Sequence, residues 1–223
     1  VEIAQAAAQA ATLAAELSRG REVARGKLEQ RIHAELAALA LGASRFAVRL
    51  WREEEPAGLL LVDGRHWRAD ARGIDQTEFL LSANPGVEPR PLARIASGGE
   101  LSRVMLALKT ALADADQVPT LVFDEVDIGI GGRTARAVGE RLRAVAHGRQ
   151  VLCITHLPQI ASLAHVQYTI EKRVAAGSTR VRVRRLEENG RVDEIARMLA
   201  GAAVTEATRR HAAELLGGAR GES

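Results

Sequence analysis

The sequence predicts an α/β protein with a mostly parallel sheet, preceded by a long coiled-coil helix. Over residues 1–41, larger apolar side chains recur at steps of three, four or seven, which is the spacing of a coiled-coil strand. From Leu92 onward, helical and strand patterns alternate, as they do in a parallel sheet with crossover helices. Two short apolar runs, Thr120–Phe123 and Val151–Thr155, are typical of buried strands. We therefore divide the chain into a helical arm, 1–41, and a second domain, 42–223.

The composition is that of a soluble globular protein, with 47% hydrophobic, 26% charged and 3% aromatic residues. The single cysteine, Cys153, excludes a disulfide framework and a multi-cysteine zinc site, and it fits a reducing cytosol. No apolar run approaches the roughly 20 residues of a membrane span, and no signal segment is found. We therefore expect a cytoplasmic protein with no membrane partner, and the first residue, Val1, indicates a piece of a longer one. The net charge of +3 is too small to indicate nucleic-acid binding by itself.

The helical arm carries a narrow apolar stripe rather than a broad core face. One interpretation is a surface helix that lies on its own domain. The other is half of an antiparallel pair whose partner helix lies elsewhere. We favour the second because the stripe is long and rich in small residues. The stripe consists of Leu13, Leu17, Leu28, Ile32, Leu36 and Leu39.

Strand and hairpin signals follow the arm. Apolar and polar residues alternate over 46–50, which predicts a strand. An Asp-Gly pair between two short apolar runs predicts a hairpin of Leu59–Val62 and Arg65–Ala69, and Thr77–Ser82 predicts a further strand. Near the end of the chain, Val166–Lys172 and Thr179–Leu186 predict a hairpin across Ala175–Ser178, and helices are expected near Val192–Ala200 and Thr205–Leu216.

A glycine-rich helix start forms the first candidate site. In Ser97-Gly98-Gly99-Glu100, serine and glutamate precede an apolar helical pattern at the spacing of a capping box. The glycines leave the first amides of the helix uncovered by side chains, and such an N-terminus binds anions. The alternative is an ordinary capped helix, and these four residues alone favour that alternative.

Acidic residues and a histidine follow the two predicted buried strands. Asp124 and Glu125 come directly after Thr120–Phe123, and His156 comes directly after Val151–Thr155. Since parallel neighbours end at the same edge of a sheet, we expect these side chains to meet where open α/β folds bind ligands. One carboxylate can hold a Mg²⁺ shell while the other polarises a water. The alternatives are solvated acids and a structural histidine, but the joint occurrence with the glycine-rich helix start favours a catalytic site.

These residues carry a resemblance to ABC-type ATPases. The run Ile95–Arg103 resembles the signature motif of that class, Leu121–Glu125 its Walker B strand, and His156 its switch histidine. The longer phrases IASGGELSRVMLALK, FDEVDIGIGG, ITHLPQIA and EIARMLAG are similar to the RecN family of SMC-like bacterial DNA-repair proteins. The resemblance implies the C-terminal lobe of an ABC-type, P-loop NTPase-like ATPase head, preceded by a returning coiled-coil arm. It further implies ATP hydrolysis in double-strand-break repair and recombination, in a bacterial, nucleoid-associated protein.

The same resemblance implies the ligands ATP and Mg²⁺ and a role for each candidate residue. Asp124 would hold Mg²⁺ through water, Glu125 would be the general base on the attacking water, and His156 would sense the γ-phosphate. The signature residues would contact the γ-phosphate of ATP bound to the opposite head. Those residues are Ser97, Gly98 and Gly99.

One loop departs from the ABC pattern. Proteins of this class commonly have an aspartate six residues after the catalytic glutamate, where this chain has Gly131. How the Asp127–Gly132 loop couples two heads is therefore open, and Asp127 is a candidate for a related role.

The chain has no phosphate-cradling loop of the form G-x-x-x-x-G-K-[ST]. The nearest approach, Gly20 with Gly26-Lys27-Leu28, is one residue too long, ends in leucine and lies in a predicted helix. The resemblance therefore implies three partners. They are an N-terminal head portion that carries the Walker A loop, a second copy that dimerises through ATP-sandwiched heads, and DNA.

A basic strand is the remaining candidate interface. Arg180, Arg182 and Arg184 share one strand face, which suits DNA phosphates and equally suits a solvated edge strand. No aromatic residue interleaves them, so base stacking is not indicated. The alternative function for the whole chain is a non-catalytic DNA-bridging scaffold with a degenerate ATPase fold. The acidic pair and the histidine argue against that alternative.

Overall fold

The computed structural model describes residues 2–95, 97–113, 115–175, 178–201 and 203–220. It divides into two compact units, one of residues 1–37 with 41–96 and one of residues 38–40 with 97–223. The division into an arm, 1–41, and a head lobe, 42–223, concerns the complete head and stays a prediction. Among the described residues, no helix is long and apolar enough to cross a membrane.

The first unit consists of one long helix and five short strands. The strands β1, β4 and β5 form an antiparallel sheet in that order, and β2 pairs with β3 as a hairpin around Asp63 and Gly64, which confirms the strand and hairpin predictions. The elements are α1 (Glu2–Ala38), β1 (Arg45–Arg52), β2 (Leu60–Val62), β3 (Arg65–Trp67), β4 (Asp75–Ser82) and β5 (Arg90–Pro91).

The apolar stripe of α1 has two environments. In its C-terminal half, Ile32 and Leu36 are buried, and His33 Nε2 accepts a 3.0 Å hydrogen bond from the amide of Phe46 in β1. In its N-terminal half, Leu13 is 65% exposed and Leu17 is 43% exposed. The C-terminal half is therefore a surface helix on its own sheet, and pairing with a partner helix stays a prediction for the N-terminal half.

Asp75 ties α1 to the antiparallel sheet. Its carboxylate accepts hydrogen bonds from Ser18 Oγ at 2.6 Å, Arg21 Nη1 at 3.0 Å and Arg52 Nε at 3.0 Å. Burial by itself raises the pKa of Asp75, but these three hydrogen bonds outweigh it and hold the pKa below its ordinary value. The helix is thus fixed to the sheet by a satisfied buried charge.

The second unit alternates helices and strands. Strands β6 and β7 pair in parallel, with Phe123 opposite Cys153, and the connecting helix is α3, which confirms the predicted parallel arrangement. β8 (Tyr168–Ala175) and β9 (Ser178–Arg185) pair antiparallel as predicted. Residues 176 and 177 of the predicted connection Ala175–Ser178 lie outside the described residues. The elements are α2 (Gly98–Ala111), β6 (Thr120–Phe123), α3 (Gly132–Val145), β7 (Gln150–Cys153), α4 (Pro158–Ala161), β8 (Tyr168–Ala175), β9 (Ser178–Arg185), α5 (Glu188–Ala200) and α6 (Glu206–Arg220).

Among the described residues, only one face of the β6–β7 sheet is covered, so the prediction of two fully buried strands is wrong for this chain by itself. Leu121 and Phe123 are buried, but on the other face Val122 is 65% exposed, and Leu152 and Ile154 are 46% and 55% exposed. Parallel sheets normally have both faces covered. We name Val122, Leu152 and Ile154 the open face.

Gly139 sets the distance between α3 and α4. A Cβ at this position would lie 2.6 Å from Leu163 Cδ1 and 3.3 Å from the backbone Cα of Ile160. Leu163 is itself buried, so it has little room to move. The close approach of the two helices therefore requires glycine.

We expect Gly139→Ala to lower the free energy of unfolding by about 1–2 kcal/mol. Overpacking costs about 1–3 kcal/mol, and the better helix propensity of alanine offsets up to about 1 kcal/mol of this. Urea unfolding of the chain measures the change. The matched control is Gly26→Ala in α1, where an added Cβ meets nothing within 4 Å, and it should raise stability. Equal effects of the two substitutions would contradict the packing constraint.

The environment of Cys153 predicts an unreactive thiol. Burial, together with the negative charges of Asp127 and Asp124, raises the pKa of Cys153 to about 12. Because the thiolate is the nucleophile, alkylation by iodoacetamide at pH 8 should be at least about 100-fold slower in the native chain than in urea, where the pKa is about 8.5. Similar rates in the two conditions would show that the thiol is not shielded.

Candidate functional site

The glycine-rich run forms the start of α2. Ser97 is the N-cap residue, and the amide of Leu101 donates to its carbonyl oxygen at 3.0 Å. The predicted capping box is wrong, because the Ser97 hydroxyl makes no hydrogen bond to the first amides of the helix. Ser97 and Gly98 are exposed, whereas Gly99 is buried and Glu100 is partly exposed. The helix start thus keeps donors for an anion that a capping side chain would otherwise occupy.

Both glycines of this run lie in close contact with the segment after β6. A Cβ at Gly98 would overlap Oε2 of Glu125. A Cβ at Gly99 would lie 3.0 Å from the carbonyl oxygen of Glu125 and 3.1 Å from Cβ of Ile128. The structure therefore brings together the glycine-rich run and one of the two predicted acidic residues.

The acidic pair lies at the carboxyl end of β6, and both residues are exposed. Asp124 Oδ1 accepts a 2.9 Å hydrogen bond from the amide of Glu125, and the Asp124 carbonyl oxygen accepts one at 2.8 Å from Ser102 Oγ of α2. Glu125 adopts the left-handed region with φ of 59°, which is costly for a residue other than glycine.

Arg103 of α2 holds the segment that follows. Its buried guanidinium donates from Nη1 to the carbonyl oxygens of Ile128 at 2.8 Å and Val126 at 3.4 Å. Burial lowers the pKa of Arg103, although the charge of Glu100 acts in the opposite direction. Arg103 thus fixes the backbone on both sides of Asp127.

His156 lies beside a buried aspartate. Asp127 is 4% exposed, and its Oδ2 lies 2.6 Å from Thr155 Oγ1, 2.9 Å from the amide nitrogen of His156 and 3.0 Å from His156 Nδ1. The imidazole itself is 71% exposed. β7 ends at Cys153, two residues earlier than predicted, but the amide of Ile154 still donates to Phe123 O at 3.0 Å. The histidine therefore follows the sheet edge at which the acidic pair lies.

Sequence reasoning named the exposed members of the site and the buried Asp127, but it missed three further polar residues that hold the site, of which Arg103 is buried. Ser102, Arg103 and Thr155 were not singled out. A charged residue within the apolar pattern of α2 was an available signal for Arg103. A hydroxyl before a histidine gave no signal for Thr155, because its importance depends on an aspartate 28 residues away.

The site suits Mg²⁺ held together with a polyphosphate rather than by a protein cage. Within the described ranges, no group of three or more His, Cys, Asp or Glu residues could hold a metal ion. Mg²⁺ commonly uses one or two carboxylates, several waters and substrate phosphates. Asp124, an exposed aspartate at the carboxyl end of β6, fits that mode of binding.

The sequence is similar to curated proteins named "DNA repair protein RecN". It is 44% identical over 207 residues to that of Bacillus subtilis, covering 91% of this chain and 36% of the relative. It is 43% identical over 210 residues to that of Streptomyces coelicolor, covering 94% and 36%, and 49% identical over 149 residues to that of Xylella fastidiosa, covering 67% and 27%. The chain spans about a third of the length of these relatives.

Among solved structures, a similar one is the Smc head domain with a coiled coil and joint derived from Pyrococcus yayanosii. It is 18% identical with a TM-score of 0.46, and the match covers 75% of this chain and 28% of that chain. No protein-family model matches the sequence. With more than two fifths of its residues identical over nine tenths of its length to RecN proteins, the chain belongs by sequence to the RecN family.

Proposed function

We propose that the chain forms the C-terminal part of an SMC-like ATPase head that acts in DNA double-strand-break repair and recombination. The observation that carries the proposal is the segment from Asp124 to Ile128. It contacts the glycine-rich helix start on one side and, through Asp127, His156 on the other. In a RecN-family sequence, this arrangement fits hydrolysis of ATP held between two heads.

In this mechanism each exposed side chain has a separate task. Glu125 accepts the proton of the attacking water, and Asp124 holds Mg²⁺ through water. When bound, Mg²⁺ neutralises charge on the phosphate oxygens. His156 donates a hydrogen bond to the γ-phosphate. General-base assistance of this kind contributes about 10²–10⁴-fold to a rate.

The glycine-rich run acts toward the other head. Ser97 and the first amides of α2 contact the γ-phosphate of ATP bound to the opposite copy, where the helix dipole favours negative charge. Because a Cβ at Gly98 would overlap Glu125, this contact lies directly beside the general base of its own copy. Two copies therefore dimerise through ATP-sandwiched heads.

The open face supports a further partner, an N-terminal head portion that carries the Walker A loop. Three apolar side chains on the uncovered face of a parallel sheet require a cover, and a two-stranded sheet needs neighbours for stability. The exposed stripe of α1 supports a coiled-coil partner helix in the same way. We place the protein in the bacterial cytoplasm in association with the nucleoid, where its DNA substrate lies.

The basic strand supports DNA contact outside the ATP site. Arg180, Arg182 and Arg184 are all exposed on β9. In the register of the hairpin, Arg182 lies opposite Glu171 and Arg184 lies opposite Thr169. The face therefore keeps a positive excess that suits the phosphates of DNA of any sequence.

We expect Glu125→Gln in the complete protein to bind ATP, to bring two heads together and to stall. The amide keeps the size of the side chain but loses its basicity, so turnover should fall about 10²–10⁴-fold, which corresponds to about 3–5 kcal/mol of barrier. Sedimentation with ATP measures head association, and phosphate release measures turnover. Near-normal turnover by the Glu125→Gln variant would contradict the assignment of Glu125 as the general base.

Two further variants separate the remaining roles. Asp124→Asn should weaken ATP binding as well as turnover, because it removes the Mg²⁺ partner. Ser97→Arg should bind ATP yet fail to associate, because it blocks the helix start with a bulky cation.

The 223-residue chain alone should show no turnover until the N-terminal portion is added. Turnover by the chain alone that Glu125→Gln abolishes would contradict the need for that portion. A complete wild-type protein without turnover that still bridges DNA would favour the scaffold alternative.

We expect replacement of Arg180, Arg182 and Arg184 by glutamine to weaken DNA binding similarly for all sequences. The slope of log affinity against log salt should flatten by up to about 0.9 for each lost contact. Titration of DNA into the complete protein at several salt concentrations measures the slope. The matched control replaces Arg65, Arg68 and Arg72, three exposed and ion-paired arginines, and should leave the slope unchanged. Equal slopes for both variants would indicate that β9 is a solvated edge strand and not a DNA contact.

A further inference from the structure

The buried carboxylate of Asp127 is the centre of a small hydrogen-bond cluster. A single oxygen, Oδ2, receives the Thr155 hydroxyl at 2.6 Å, the His156 amide at 2.9 Å and the His156 ring nitrogen Nδ1 at 3.0 Å. The first contact holds the Thr155 side chain, the second holds the His156 backbone, and the third holds the imidazole itself. Asp127 therefore fixes both the backbone position of His156 and the orientation of its ring.

The geometry also determines which ring nitrogen carries the proton. An ionised carboxylate only accepts hydrogen bonds, so Nδ1 must be the donor in the contact with Asp127. In a neutral ring the other nitrogen, Nε2, then carries the lone pair and lies on the exposed side. This is the orienting arrangement that carboxylates impose on histidines in metal sites and hydrolase triads.

The loop around Asp127 is itself held in place. Arg103 donates to the carbonyl oxygens of Val126 and Ile128, the residues on either side of Asp127, and Val126 is completely buried. The amide of Ile130 donates to the Asp127 carbonyl oxygen at 3.4 Å. The carboxylate is thus presented to His156 by a segment that α2 clamps, rather than by a free loop.

We propose that Asp127 is the positioning residue of His156, holding the proton on Nδ1 and aiming Nε2 toward the nucleotide. The inference rests on the proposed function for what the ring then meets. A phosphate oxygen only accepts hydrogen bonds, so Nε2 must carry a proton when it contacts one. A ring that donates from both nitrogens is positively charged, and the adjacent negative charge of Asp127 compensates it. Asp127 therefore acts on the histidine of its own chain. It lies in the loop that has Gly131 where ABC-type proteins commonly have an aspartate.

The tautomer of His156 tests the positioning role without nucleotide. In the ¹⁵N-histidine-labelled chain, with His156→Gln used for assignment, long-range ¹H–¹⁵N spectra at alkaline pH report which nitrogen holds the proton of the neutral ring. We expect Nδ1–H in the wild type. We expect Asp127→Ala to shift most of the population to Nε2–H, the form that exposed imidazoles favour in water. A wild-type ring protonated on Nε2 overturns the proposal, whatever the variants do.

Thr155→Val is the matched control. It removes a hydrogen bond to the same carboxylate oxygen but leaves the ring contact, so the Nδ1–H form should persist. If both substitutions shift the tautomer equally, Asp127 acts only through the fold and the proposal fails.

Turnover of the complete protein tests the role toward phosphate. Asp127→Ala should lower kcat at least about 10-fold, the lower end of the range found when the partner of a metal-bound histidine is removed, with the KM for ATP little changed. If the tautomer shifts in Asp127→Ala while kcat does not fall, the positioning role stands and the proposed task of His156 in hydrolysis is overturned.

Discussion

The parallel pairing of β6 and β7 is the constraint on which the candidate site depends. Parallel strands cannot be joined by a tight turn, so the chain must cross over through α3 before β7 begins. Both strands then end at the same edge. The ladder continues one step past β7, with the Ile154 amide on the Phe123 carbonyl oxygen, and this step delivers Thr155 and His156 beside Asp127. The tight packing of α3 on α4 at Gly139 maintains the crossover, so residues far from the site contribute to its geometry.

The segment after β6 is held against its own backbone strain. A residue other than glycine in the left-handed region costs about 1–3 kcal/mol, and Glu125 occupies that region. Several hydrogen bonds oppose this cost, among them the Ile128 amide on the Glu125 carbonyl oxygen at 3.2 Å and the two bonds from Arg103. Hydrogen bonds to a charged group contribute about 1.5–3 kcal/mol each. The hydrogen bonds from α2 therefore offset the backbone strain at Glu125. This links the position of the glycine-rich helix to the geometry of the carboxylates.

The sequence predicted the helices and strands more fully than it predicted which of their side chains are buried. Alternation and turn residues located β1 to β4, the β8–β9 hairpin and the parallel pair, because these signals are local. Burial was less predictable. Val122 lies in a short apolar run yet is 65% exposed, since an apolar run does not reveal which face has a neighbour. The capping box failed for a related reason. The spacing of Ser97 and Glu100 is local, but the position of the Ser97 hydroxyl depends on what α2 packs against.

The polar side chains of the site differ in exposure according to their task. Ser97, Asp124, Glu125 and His156 reach solvent, as groups that meet a nucleotide and water must. Arg103 and Asp127 are buried, and a buried charge is tolerated only where hydrogen bonds replace its hydration. Asp127 receives such hydrogen bonds from Thr155 and His156, which follow β7. Arg103 makes them from Nη1 to the loop after β6, while its Nε is buried without a hydrogen-bond partner among the described residues. Buried charges of this kind are costly in stability, so their value lies in fixing the direction of the exposed groups that they hold.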